Sequence, residues 1–177
     1  MANKRFFKTE KAIFIAYCKL RDYPSAKRIA QLAGVSRATF YRHHRKAVKI
    51  PEDYEKYLLE NYRKMMRGFM KRGTKIRILY FRMLIFMVNN EEVILVLFQE
   101  GRKEIIRSMV DYLKPCVLDE WKIGGDLSKM FNVYKSEVMG VIEVWAEQKF
   151  SDKDLDTVLN DIMYLTQTAR QRLLPLK

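Results

Sequence analysis

Apolar residues recur at intervals of three and four positions along most of the chain, the spacing that lines one face of an α-helix. In the first such segment, Ala12, Ile13, Ala16 and Leu20 share a face. No segment shows the regular alternation that is typical of a half-buried strand. The pattern predicts helices over 10–20, two short stretches after Ser25 and Ser36, 52–70, 74–88, 91–98, 101–113, a long stretch capped by Asp126 and a last one from Ser151 to near Pro175.

The ends of the first three helices carry local signals. We expect Thr9 to cap the first helix, and Pro24 to end it, because the residue before a proline is pushed out of the α region. Ser25 and Ser36 are the expected N-caps of the two short helices. Gly34 stands between them, where a helix end requires a left-handed residue. This order of helix, tight turn and helix is the unit that places its second helix in the major groove of DNA.

Composition agrees with a helical fold. The chain has 177 residues, of which 49% are apolar, and only seven glycines and four prolines. It is therefore long enough to bury a core and has few turn signals. We predict an all-α protein with a three-helix, helix-turn-helix head over 1–50 and a helical domain over 51–177.

Positive charge is concentrated in the first part of the chain. The formal net charge is +13, and residues 1–50 contain 13 Lys and Arg but only two acids, Glu10 and Asp22. Residues 51–177 contain 21 bases and 19 acids. The excess predicts a polyanionic partner for the first fifty residues, and nucleic acid is preferred over an anionic membrane surface.

The helix after Ser36 has an outward face without carboxylates. Phe40 is expected to pack inward, with His43 and His44 on or beside the inner face. Arg37, Arg42 and Arg45 are expected to point outward. Such a face repels itself unless it meets phosphates, which favours DNA as the partner.

The segment "IAQLAGVSRATFYRHHR", residues 29–45, resembles the DNA-binding signature of TetR/AcrR-type bacterial transcriptional regulators. Residues 50–177 share only their helical character with that family. The resemblance implies a ligand-responsive repressor that binds a near-palindromic operator as a homodimer and is located in the bacterial cytoplasm, at the nucleoid. It also implies an unidentified small-molecule effector in the C-terminal domain.

Ten residues are predicted to contact DNA. Arg37, Thr39 and Arg42 are expected to reach bases, because arginine can donate two hydrogen bonds to guanine. Ala38 is expected to allow close approach. The resemblance implies that Tyr41 and His43 contact the DNA backbone, with a capping or core role as the alternative for His43. The remaining predicted backbone contacts are Ser25, Ser36, Arg45 and Lys46.

Two apolar stripes at spacings of three and four are expected in the last two helices. A stripe shows that a face is buried, whereas the choice of a partner subunit as its cover comes from the family resemblance. The residues predicted for the dimer interface are Tyr134, Val138, Val141, Ile142, Trp145, Leu159, Ile162, Thr166, Ala169 and Leu173.

The run 63–82 contains eight bases and no acid. We interpret it as a solvated face with some contact to flanking phosphates; an acidic effector site is the alternative. Ligand pockets are mostly apolar, which favours the first interpretation.

No catalytic, cofactor or metal motif is present, so we expect neither an enzyme nor a cofactor. Cys18 and Cys116 are far apart and are expected to be reduced thiols. No stretch approaches the ~20 uncharged residues of a membrane helix. Two other functions compete: a recombinase-type DNA-binding protein, whose similar motif usually follows a catalytic domain, and a peripheral membrane or scaffold protein that uses the basic face on lipid.

Overall fold

The computed structural model describes residues 4–20, 24–122, 127–150 and 155–173. These residues contain ten α-helices and one short 3-10 helix at Ala47–Lys49, and no strand. The prediction of an all-α protein is therefore confirmed. The helices are α1 (Lys4–Leu20), α2 (Ala26–Leu32), α3 (Arg37–His43), α4 (Ile50–Met70), α5 (Ile76–Asn89), α6 (Glu91–Gln99), α7 (Glu104–Tyr112), α8 (Lys114–Trp121), α9 (Ser128–Glu147) and α10 (Leu155–Leu173).

The first helix begins earlier than its apolar spacing indicated. It starts at Lys4, so the expected cap, Thr9, lies inside it and the prediction for that cap was wrong. Phe7 packs against Tyr57 with ring centroids 5.6 Å apart, and Phe6 stacks on His43 at 4.3 Å. These tertiary contacts stabilise a first turn that lies outside the apolar pattern.

The sequence did not predict α8, which contains Pro115. The seventh helix does end before this proline, but α8 begins at Lys114 with the proline in its first turn. Proline is tolerated there because an N–H at that position would have no partner within the helix. The expected caps Asp126, Ser151 and Asp154, and Pro175, lie outside the described residues.

The chain divides into two compact units, Met1–Glu60 and Asn61–Lys177. In unit 1, the first turns of α4 carry Tyr54 and Leu58 into the core, and Tyr54 stacks on Phe14 at 4.7 Å. The division therefore falls ten residues later than the 50/51 boundary expected from the sequence, because the start of α4 packs with α1.

The core of unit 2 includes a buried chain of hydroxyl groups between α5, α9 and α10. The Tyr134 hydroxyl donates to Tyr80 Oη at 2.7 Å and lies 2.8 Å from Thr166 Oγ1. Thr166 in turn donates to the carbonyl of Ile162, and the Trp121 indole donates to the carbonyl of Thr166. Burial raises the pKa of Tyr134 to about 12, so the hydroxyl stays protonated at neutral pH.

None of the described helices combines the length and the apolar character that crossing a membrane requires.

Candidate nucleic-acid interface

Serine side chains begin both short helices of unit 1. The hydroxyl of Ser25 accepts the backbone N–H of Arg28 at 3.4 Å, and that of Ser36 accepts the N–H of Thr39 at 3.0 Å. Both serines have extended backbone angles and are exposed. Both predicted N-caps are confirmed, and the N-termini of α2 and α3 face solvent.

A hydrogen-bonded glycine turn joins α2 to α3. Gly34 has φ +66°, and its N–H donates to the carbonyl of Gln31 at 3.2 Å. The next N–H, of Val35, donates to the carbonyl of Ala30 at 3.0 Å. This pair of bonds is the Schellman arrangement, which requires a left-handed residue. The turn therefore fixes where α3 starts relative to α2.

Cationic and polar side chains cover the outer face of α3. Arg37, Ala38, Tyr41 and Arg42 are exposed, and Arg45 just beyond the helix is also exposed. The inner face is represented by Phe40, which is fully buried. The guanidinium groups of this face therefore point away from the unit's own core and are accessible to a partner.

Thr39 organises the middle of this face. Its hydroxyl accepts hydrogen bonds from the Ser36 hydroxyl at 2.9 Å and from Arg42 Nη2 at 3.2 Å. A guanidinium has five N–H donors, so Arg42 keeps others for a partner. The contact with Thr39 limits the conformations of Arg42 and reduces the entropy it would lose on binding.

A buried carboxylate holds the end of α3. Glu10, on α1, is 5% exposed; one of its oxygens bonds His43 Nδ1 and the other lies 2.9 Å from His44 Nε2. The second nitrogen of His44 is 3.4 Å from Asp53 on α4. His43 is thus engaged with Glu10 through one ring nitrogen and with Phe6 through its face, and its side chain is only 6% exposed.

The cluster supports opposite charges inside unit 1. Burial opposes the charge on Glu10, but hydrogen bonds from His44 and His43 outweigh it and hold its pKa below the ordinary value. Burial likewise opposes the charge on His44, but its hydrogen bonds and attraction to Glu10 and Asp53 raise its pKa above the ordinary value. The ion pair links α1 to the end of α3.

The position of Glu10 also affects the surface. Of the two acids in the first fifty residues, Asp22 lies outside the described residues, and Glu10 points inward to the histidines. The described exterior of 4–49 is therefore free of carboxylates. Sequence reasoning left Glu10 without a role, although its spacing from Ile13 and Phe14 places it on the buried face of α1.

A shallow cavity of about 320 Å³ lies beside the end of α3. It is lined by His43, Arg45, Lys46, Lys49 and Asp53. Lys46 was predicted to contact phosphate, whereas Lys49 was not singled out. Both are exposed, so the cavity has room and positive charge for a phosphate group.

Eight of the ten residues predicted for the dimer interface are buried in the chain's own core, and for these eight the assignment needs correction. The apolar stripes of α9 and α10 face inward within unit 2, and Thr166 belongs to the hydroxyl chain described above. A side chain that its own chain covers cannot contact a partner. Of the predicted set, Val141 is half-buried, the side chain of Leu173 lies outside the described residues, and the fully or almost fully buried members are Tyr134, Val138, Ile142, Trp145, Leu159, Ile162, Thr166 and Ala169.

A different face of the same two helices is exposed and partly apolar. Val133 is 51% exposed and Val144 is 56% exposed on α9, and Tyr164 on α10 is 68% exposed. Gly140 lies between the two valines, and a methyl group added there would meet nothing within 4 Å. A groove of about 480 Å³ runs between the helices beside Gly140 and Val144.

Comparison with known proteins identified no relative, since no family model, curated protein or solved structure matches the chain.

Proposed function

We propose that the protein is a sequence-specific, double-stranded-DNA-binding regulator of transcription that reads its operator with α3. The observation that carries the proposal is the exposed face of α3, whose arginines point outward while Glu10, on the neighbouring α1, is buried. Support also comes from the rigid glycine turn and from the resemblance of 29–45 to TetR/AcrR regulators. A helix presented in this way fits the major groove.

The contacts divide into two classes. Arg37 and Arg42, with Thr39 beside them, are proposed to read bases, because they lie on the exposed face of the helix that enters the groove. Ala38 leaves room for that approach. The proposed phosphate contacts are Ser25, Ser36, Tyr41, Arg45, Lys46 and Lys49. We leave His43 out of this set, since its ring packs on Phe6 and bonds Glu10.

The protein is further proposed to act as a homodimer through the exposed face of α9 and α10. This face offers Val133, Val144 and Tyr164, and Gly140 allows two helices to approach closely. Two α3 helices related by a two-fold axis bind half-sites about 34–36 Å apart, or a multiple of that. Binding across a promoter would repress transcription, and a small-molecule effector would lower operator affinity through a coupling of about 1–3 kcal/mol.

Selection of bound duplexes from a random pool tests this function. The full-length protein should enrich a near-palindromic sequence, and the Arg37→Ala, Arg42→Ala double variant should lose the enrichment. Affinity for the selected duplex should fall steeply with salt, with a slope of about 0.9 for each phosphate neutralised. Absence of any enriched sequence, or stronger binding to anionic liposomes than to the selected duplex, would refute the proposal.

A further inference from the structure

The second half of α4 carries a strip of exposed cations in unit 2. Arg63, Lys64, Arg67 and Lys71 are all exposed, and at 100° per residue they lie within an arc of about 100°. Lys71 directly follows the last residue of α4, and its N–H still donates to the carbonyl of Arg67 at 3.1 Å. We name these four residues the α4 strip. It lies away from the buried face of the same helix.

One acid, Glu60, lies on the face of α4 that carries the strip: it is exposed and precedes Arg63 and Lys64 by three and four residues. In the part of the chain that the structure describes, none of the strip's four side chains forms an ion pair with a carboxylate. The surrounding segment, 63–82, contains eight Lys and Arg and no acid, whereas 83–177 contains 12 Lys and Arg and 15 Asp and Glu. The positive charge of unit 2 is therefore concentrated around the strip rather than spread over its surface.

Local contacts hold the guanidinium group of Arg63, in the strip, and those of Arg72 and Arg82. Arg72 Nε donates to the carbonyl of Gly68 at 2.9 Å, and its guanidinium lies 5.2 Å from the centre of the Phe69 ring. Arg82 lies over the same ring at 5.0 Å. The guanidinium of Arg63 lies 5.9 Å from the ring centre of Tyr112. These contacts restrict the positions of the guanidinium groups and leave their positive charge unneutralised.

The form of the strip favours an extended phosphate polymer. Ligand pockets are mostly apolar, whereas the strip is a row of exposed cations, which argues against a small acidic effector. A membrane-binding helix would present large apolar side chains next to its cations. The second half of α4, 61–70, has no exposed large apolar side chain, and within 71–82 the exposed one is Ile78 on α5. Planar guanidinium groups bind phosphate with two parallel hydrogen bonds.

We propose that the α4 strip is a second nucleic-acid-binding surface that contacts the phosphate backbone without reading sequence. It goes beyond the sequence-reading function assigned to α3 and does not depend on it. The strip adds affinity for nucleic acid, either a duplex or a single strand. This affinity is sensitive to salt because each neutralised phosphate releases a counterion.

The test uses full-length protein in which the α3 face is disabled by Arg37→Ala and Arg42→Ala. On this background the strip variant carries Arg63→Gln, Arg67→Gln and Lys71→Gln. A matched control removes the same charge elsewhere in unit 2, with Lys122→Gln, Lys149→Gln and Arg170→Gln, all at exposed positions. The probes are a random-sequence duplex, a single strand of equal length, and vesicles of phosphatidylglycerol and phosphatidylcholine. Because all six positions are exposed, the thermal midpoints should match.

The strip variant should bind the duplex or the single strand about tenfold more weakly or worse, with a shallower salt dependence, while the control changes less than about twofold. If the strip variant loses more affinity for the duplex than for the single strand, the strip binds duplex; the opposite result identifies single strand. Equal binding by the strip and control variants would overturn the proposal. Tighter binding of the Arg37→Ala, Arg42→Ala protein to vesicles than to either nucleic acid would also overturn it. Failure of α3 to select a sequence is measured separately and leaves this comparison unaffected.

Discussion

At the scale of single residues, Glu10 on α1 holds the end of α3 through His43 and His44. It is one carboxylate that contacts two consecutive histidine rings, so both oxygens are occupied inside unit 1. Removing either partner of a buried pair leaves the other charge without compensation. The cluster therefore stabilises the end of α3 and holds the carboxylate of Glu10 inside unit 1, whereas Asp53 stays exposed beside Lys46 and Lys49.

The pH dependence of unit 1 follows from this cluster. The raised pKa of His44 means that its stabilisation is complete below its ordinary value of 6.5 and is lost as the pH rises through the folded value. The lowered pKa of Glu10 acts in the opposite direction: its stabilisation is present above 4.5 and is lost as the pH falls through the folded value. Unit 1 should therefore weaken on the alkaline side of pH 6.5.

NMR titration can measure this directly, because the chain has only two histidines. The His44 ring should titrate above 6.5, and Glu10→Gln should move it back toward that value. The control is Glu52→Gln, which removes an exposed carboxylate from the first turn of α4, beside Asp53. It should leave the titration of the His44 ring unchanged. A His44 ring that titrates at or below 6.5 in the unmodified protein would contradict the assigned ion pair.

At the scale of elements, the turn between α2 and α3 was readable from the sequence, whereas the burial partner of each stripe was not. Ser25, Gly34 and Ser36 act through hydrogen bonds to nearby backbone, so local sequence is sufficient to identify them. An apolar stripe reports only that a face is covered. The stripes of α9 and α10 that the family resemblance assigned to a dimer are covered by unit 2 itself. The helix α8 was missed because a proline can begin a helix as well as follow one.

Replacing Gly34 tests how much the turn contributes. A methyl group there meets nothing within 4 Å, so the penalty of Gly34→Ala is the left-handed backbone alone, about 1–2 kcal/mol. Gly68→Ala, at an exposed helical position, should instead stabilise by about 0.5–1 kcal/mol. Urea unfolding of both variants measures the two changes. A neutral Gly34→Ala would show that the turn can relax without loss.

At the scale of the whole molecule, exposed cations and exposed apolar side chains occur in both units, and Tyr41, Val48 and Ile78 are among the apolar ones. Cations collect on the outer face of α3 and on the α4 strip, whereas exposed apolar side chains on α9 and α10 are Val133, Val144 and Tyr164. We propose that these three side chains belong to one interface, since exposed apolar patches on folded proteins commonly mark interfaces. The cationic surfaces are assigned to nucleic acid and the apolar face to a second copy of the chain.

Sedimentation velocity tests the apolar face. Val144→Lys with Tyr164→Lys should convert the dimer to monomer at micromolar concentration, because two like charges per subunit would oppose each other across a two-fold interface. Val48→Lys with Ile78→Lys adds the same charge at two other exposed apolar positions, which are 59% and 45% exposed, and should leave the dimer intact. A monomeric unmodified protein, or a dimer that tolerates both lysines, would remove this interface from the proposal.

The claim that α3 reads DNA in the major groove has a direct test in methylation interference. Guanine N7 lies in that groove and is an acceptor for arginine, so methylating it blocks a base-reading contact. The unmodified protein should lose binding when particular guanines of each half-site are methylated, and Arg42→Ala should become insensitive to one of them, whereas Arg45→Ala should weaken binding without changing the pattern. Binding that ignores methylation at every guanine would contradict the placement of α3 in the groove.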